Sequence, residues 1–309
     1  MKIFKKISVA VCMAVGLLTS SFCFAEQIQV KHAQGVTNVT VNPKRVIVYD
    51  LGILDNMDLI NATDNIVALP EIEFPKYLKD LENIEKAGSL FSPDYEKIAA
   101  LKPDLIIIAG RSSRNYEQLS KMFPTIDLSL RNEHTVEDSI ANMRLLGKIF
   151  NKTKNAERAI KALERDISYV KSVTNKRGDA LALITTGGKI NLLSPQSRFG
   201  LLFSNFGIEN AHKKLGTDSA HGQTISYEFI LNENPDWLFV LDRDKAINNG
   251  GTPATKLLDN SIIRKTKAWN KKQIVYLDPH GFYLATGGFQ SLQTNIDIIL
   301  EAYQQQAKK

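Results

Sequence analysis

The residues with the plainest chemical purpose form a matched pair. Arg111 closes the run Tyr95-Glu96-Lys97-Ile98, Pro103-Asp104 and apolar Leu105–Ala109. Arg243 closes Tyr227-Glu228-Phe229-Ile230, Pro235-Asp236 and apolar Trp237–Leu241. The offset is 132 at every matched position, and six of the 17 positions are identical. Self-similarity at a fixed offset reads as two copies of one structural unit. In each copy a helix stops before a proline, a strand covered on both faces follows, and an arginine stands just beyond it. Ligands of open α/β sheets sit outside the carboxyl ends of the strands. Two such lobes facing each other place both guanidiniums in one cleft. There they offer charge-assisted, bidentate hydrogen bonds to an anion. Arg114 is the nearest rival to Arg111 for this role.

The rest of the chain must position that pair. Its first 25 residues stand apart. Lys2, Lys5 and Lys6 precede the 12-residue apolar run Ile7–Leu18, which is too short to span a bilayer, and Cys23-Phe24-Ala25 is a small-x-small pattern. This is the grammar of a secretory signal peptide with cleavage after Ala25, which places the mature protein outside the cytoplasm. Removing this leader takes both cysteines and three lysines, so the formal charge falls from +6 to +3. Disulfides, thiol catalysis and cysteine-based zinc sites are thereby excluded from the mature chain. A charge of +3 gives no argument for nucleic acid.

Strand and helix signals alternate from Gln27 onward. Gln27–Val41 predicts a hairpin around Gly35, Arg45–Tyr49 a buried strand, and Asp50–Ile60 a helix. Thr135–Thr174 is strongly helical in composition, with almost no breakers apart from Gly147, and Thr153 can cap a helix to about Val173. Strand signals resume at Ala180, and a final helix falls near Gln290–Gln304. The predicted organisation is α/β: an N-terminal lobe over 26–150, a linking helix within 151–178 and a C-terminal lobe over 179–309.

In this order the motifs resemble the periplasmic binding proteins for ferric siderophores, in which two Rossmann-like lobes are joined by a long rigid α-helix. The resemblance covers residues 26–309. It is carried by Asn42-Pro43-Lys44-Arg45-Val46, Tyr95–Asp104, Ser197-Arg198-Phe199-Gly200, Tyr227–Asp236 and the segment from Tyr283 to Gly287-Gly288. The likeness is strongest to the catecholate binders of enterobactin and vibriobactin uptake. It implies a monomer that captures a ferric catecholate and delivers it to the permease of an ABC transporter. No intrinsic cofactor is implied, because Fe³⁺ arrives within the siderophore.

The resemblance adds Arg198 as a third cleft arginine, and a ferric tris-catecholate of about −3 charge calls for converging cations. It also implies that His221 and Tyr283 complete the coordination of iron. Fe³⁺ is a hard cation that takes phenolate readily and imidazole acceptably, and a tetradentate bis-catecholate leaves two positions open. His280 and His212 are rivals to His221. Glu96 and Glu228, one per copy of the repeat, are implied to meet arginines on the permease. Haem, cobalamin, a siderophore of another class and a bare divalent metal are the alternative cargoes. Five histidines, with His32 and His134 away from the cleft, suit a bare metal poorly. The sequence contains neither Gly-x-Ser-x-Gly nor His-Glu-x-x-His, so a secreted hydrolase has no motif to stand on, and the expectation is a protein without enzymatic activity.

Overall fold

The computed structural model describes residues 26–212 and 222–307. The predicted hairpin is present as strands β1 (Gln27–His32) and β2 (Gly35–Thr40). Four parallel strands follow: β3 (Val46–Val48), β4 (Ile66–Ala68), β5 (Leu105–Ile108) and β6 (Thr125–Asp127), in the order β4-β3-β5-β6. The second sheet contains β7 (Asp179–Thr186), β8 (Lys189–Leu192), β9 (Glu209–Asn210), β10 (Gln223–Ile225), β11 (Trp237–Asp242) and β12 (Ile274–Tyr276). Its order is β10-β8-β7-β11-β12, with β9 also paired to β7. β7, β11 and β12 run parallel, whereas β8 pairs antiparallel with both β7 and the edge strand β10.

Between the sheets lies the linking helix, Thr153–Thr174, 22 residues and so about 33 Å long at 1.5 Å per residue. The helical stretch begun at Thr135 is two helices. The first runs through Gly147 to Ile149, and the break falls at Asn151, whose φ is 55°. Gly147 is therefore not the breaker. It sits where the two helices cross, and a Cβ there would lie 2.7 Å from the Cβ of Ala156. Thr153 is the first helical residue and not a cap; its hydroxyl donates to the Gly147 carbonyl at 3.3 Å.

Alternation within the apolar strands divides the core. In β5, Leu105 and Ile107 face one side while Ile106 and Ile108 face the other; in β11, Trp237 and Phe239 oppose Leu238 and Val240. Leu105, Ile107, Trp237 and Phe239 belong to one continuous apolar cluster. That cluster also takes in Ile160 and Leu163 of the linking helix and Leu292, Ile296 and Tyr303 of the last helix, Phe289–Ala307. The two lobes thus share a core behind the cleft. Close packing in such a core resists continuous deformation, which makes the connection stiff. Among the described residues no helix is long and apolar enough to cross a membrane.

Candidate functional site

The repeat is a structural repeat. The twin helices Tyr95–Leu101 and Tyr227–Glu233 are capped by Asp94 and Ser226, whose side chains accept from Lys97 N (3.0 Å) and Phe229 N (3.2 Å). Both stop on a left-handed residue, Lys102 (φ 46°) and Asn234 (φ 45°), and both lead through proline into the central strand. Arg111 and Arg243 then stand just past β5 and β11. Glu96 and Glu228 are exposed at the second position of the twin helices.

Both arginines reach the same residue. Arg111 donates from Nη2 to the carbonyl oxygen of Tyr283 (2.8 Å), and its guanidinium lies 4.8 Å from the ring centroid. Arg243 donates from Nε to the Tyr283 hydroxyl (2.8 Å), lies 5.6 Å from the ring and is steadied by Nη1 donation to Thr186 Oγ1 (3.0 Å). Arg198 arrives from the loop after β8, 4.9 Å from the Tyr283 ring and 4.6 Å from that of Phe199. Each separation is within the reach of a cation–π contact. Tyr283 is buried in a wide helical turn, His280–Leu284, and stacks at 6.4 Å on the fully buried ring of Phe199. Wide turns of this π type recur at functional sites.

The electrostatics follow from this crowding. Burial raises the Tyr283 phenol, but the Arg243 hydrogen bond and the charges of Arg111, Arg243 and Arg198 outweigh it and leave the phenol below the ordinary tyrosine value. Arg198 is pushed down to about 10, first by burial and then by the like charge of Arg111, against the pull of Tyr283 and Asp50. Burial raises the Asp50 carboxyl in spite of its hydrogen bond from Ile53 N and the nearby charges of Arg111 and Arg198. Three cations therefore gather around one tyrosine with one carboxylate close by. Such a site favours an incoming anion.

Two recesses flank the hub. One, of about 140 Å³, is lined by Asp50, Asn132, Ser139, Arg111 and Arg198. The other, of about 340 Å³, is lined by Glu71, Glu73, Phe91, Arg111, Arg243 and Tyr283, so two carboxylates share it with the cations.

Of the residues singled out from the sequence, Arg111, Arg198, Arg243 and Tyr283 come together, and His221 lies outside the described residues. Arg114 donates to the carbonyl of Phe91 (2.7 Å), a residue that lines the second recess, and makes none of the contacts with Tyr283 found for Arg111, Arg198 and Arg243. His280 shares the Tyr283 turn but faces Glu73 at 3.5 Å. His212 pairs with Glu233 at 3.0 Å. Among the described residues no group of three or more His, Cys, Asp or Glu could hold a metal ion. Asp50, Thr186 and Phe199 were not singled out as contacts. Asp50 and Thr186 stand at the carboxyl ends of β3 and β7, so the strand-end rule that located Arg111 reaches them too.

Comparison with known proteins agrees with this architecture. A family model described as periplasmic binding protein matches residues 46–280. The petrobactin-binding protein YclQ of Bacillus subtilis is 38% identical over 273 residues, 86% of this chain and 85% of that protein. The ferric-anguibactin-binding protein FatB of Vibrio anguillarum is 31% identical over 285 residues, 90% of this chain and 88% of its own. The crystal structure of YclQ superposes with a TM-score of 0.85 at 36% identity, covering 90% of this chain and 99% of that one. The periplasmic catecholate-siderophore binding protein VctP of Vibrio cholerae gives 0.83 at 30% identity, with 89% and 100% covered. A shared core, two sheets bridged by a long helix and a family match across most of the sequence lead to one conclusion: the chain belongs to the periplasmic binding protein family.

Proposed function

We propose that this protein captures a ferric siderophore of the catecholate class, tetradentate bis-catecholates included, and presents it to an ABC importer. The observation that carries the reading is the convergence of Arg111, Arg198 and Arg243 on Tyr283. The arginines neutralise the anionic complex, and the lowered phenol of Tyr283 makes it a ready inner-sphere ligand for iron that the siderophore leaves unsaturated. His221 fills the remaining position. The chemistry is ligand exchange at iron alone, so the protein acts as a binder and not as an enzyme, and it holds no cofactor of its own. Relatives that bind petrobactin, ferric anguibactin and acinetobactin with ferric iron support a siderophore cargo, and the catecholate-siderophore binding protein VctP supports its class. The leader through Ala25 directs the chain to the periplasm, where it works as a monomer with lobes over 26–150 and 179–309. Glu96 and Glu228 face arginines on the permease.

The test is a fluorescence-quenching titration with ferric tetradentate and hexadentate catecholates, a ferric hydroxamate, haem and cobalamin. Tightest binding of the tetradentate catecholate is expected; a preference for haem, cobalamin or the hydroxamate overturns the reading. Charge reversal at Glu96 and Glu228 should impair iron uptake by cells with affinity intact. Loss of affinity would contradict the docking role.

A further inference from the structure

The last helix begins without a cap of its own. The residue before Phe289 is Gly288, which has no side chain to offer the free N–H groups of the first turn. Those groups are met from the other end of the chain. Asn56 Oδ1 accepts from Phe289 N (3.0 Å), Asp55 Oδ1 from Gln290 N (2.9 Å) and Asp55 Oδ2 from Ser291 N (3.0 Å). Leu292 N bonds normally to the Gly288 carbonyl (2.9 Å). Tyr77 adds its hydroxyl to Asp55 Oδ2 at 2.9 Å, while Asn56 Nδ2 (3.4 Å) and the hydroxyl of Ser139 donate to the Gly287 carbonyl. Asp55 and Asn56 are buried, as few carboxylates are, in the helix Leu51–Leu59 that follows β3.

Backbone packing points the same way. A Cβ on Gly288 would lie 2.3 Å from Asp55 Oδ2, and a Cβ on Gly52 would lie 2.5 Å from the Thr286 carbonyl oxygen. The turn after Tyr283 is thus pressed onto the helix that carries Asp55. Arg111 follows β5 of the first sheet, whereas Tyr283 follows β12 of the other. The cap therefore fixes a single-copy segment of the second half of the chain against the lobe that supplies Arg111.

We propose that Asp55 and Asn56 are positioning residues for Tyr283: by capping the last helix from a distance, they hold the Tyr283 turn in register with the cleft arginines. Any influence on cargo rests on the reading of Tyr283 as a ligand contact; the positioning itself does not. Asp55→Asn replaces one acceptor oxygen by an amide that donates. One of the three groups now donating to Asp55 then meets another donor.

The direct readout is the ultraviolet titration of the Tyr283 phenol in the ligand-free protein, isolated from the other tyrosines by difference against Tyr283→Phe. It is run above pH 8. Burial pushes the Asp55 carboxyl up to about 7, against the pull of Gln290 N, Ser291 N and Tyr77, with Asp58 adding to the rise, so the carboxylate is ionised there. Asp55→Asn is expected to move the Tyr283 titration upward, and Tyr283→Phe should abolish the difference. Gly52→Ala, which removes no polar group but displaces the Thr286 carbonyl, should move it the same way and serves if Asp55→Asn does not fold. An unchanged phenol titration in the folded variants overturns the proposal. The affinity for a ferric bis-catecholate is then expected to fall about tenfold in Asp55→Asn, and less than about twofold when Tyr283 is already Phe. A shifted phenol with unchanged affinity leaves the positioning intact and removes Tyr283 from the ligand contacts.

Discussion

Arg111 and Arg243 are set by the same grammar and do different things. Each follows a capped helix, a left-handed stop, a proline and a buried strand. Arg111 nevertheless binds the backbone carbonyl of Tyr283, and Arg243 binds its hydroxyl. Arg111 also faces a second cation, Arg198, whereas Arg243 is steadied by Thr186. The difference comes from the segment His280–Leu284, which has no counterpart in the repeat. Duplication supplies matched positive charge to the two walls of the cleft. The single-copy turn between them makes the site asymmetric.

Removing either arginine should give the largest effect. Arg111→Ala and Arg243→Ala are each expected to weaken a ferric catecholate about 100-fold by fluorescence titration, the scale for truncating one member of a desolvated charge pair. A loss confined to one lobe would break the symmetry of the two walls. Next comes Tyr283→Phe, expected to cost about tenfold for a tetradentate catecholate with two open iron positions, and far less for a hexadentate one. The visible charge-transfer band of the bound tetradentate complex should shift with it; an identical band would reduce Tyr283 to packing.

A pH series sharpens the contrast. In the proposed mode iron would displace the phenolic proton of Tyr283, so affinity for the tetradentate complex should rise with pH below the phenol's own titration, and Tyr283→Phe should flatten that rise. The smallest effect separates the two arginines. Arg243→Gln removes a guanidinium bonded to the hydroxyl, whereas Arg111→Gln removes one bonded to the backbone carbonyl, which acts on the phenol through its charge alone. Both should raise the phenol titration, Arg243→Gln by more, as read by ultraviolet absorbance.

Much of this scaffold was legible in the sequence for a physical reason. The repeat marks the residues that end a helix, start a strand and follow it, and those requirements are local. The buried strands and the length of the linking helix were readable on the same terms. Other features depend on what arrives from elsewhere. Gly147 looks like a breaker by propensity, yet it is a crossing point because Ala156 packs against it. The alternation that splits β5 and β11 between two cores is invisible in runs that are apolar throughout. Thr186 and Asp50 become contacts through strand ends that pairing brings together. Asp55 and Asn56 read as interior polar residues of an ordinary helix, because the groups they cap lie more than 230 positions away.

The central claim is that duplicated arginines and the single-copy tyrosine act on one ligand as a unit. A double-mutant cycle between Arg243 and Tyr283 in the affinity for a ferric bis-catecholate tests it most directly. Arg243→Ala and Tyr283→Phe should each weaken binding, and the double variant should lose clearly less than the product of the two losses, because each single change already disrupts the shared contact. Losses that multiply independently, or wild-type affinity in either single variant, would contradict the account.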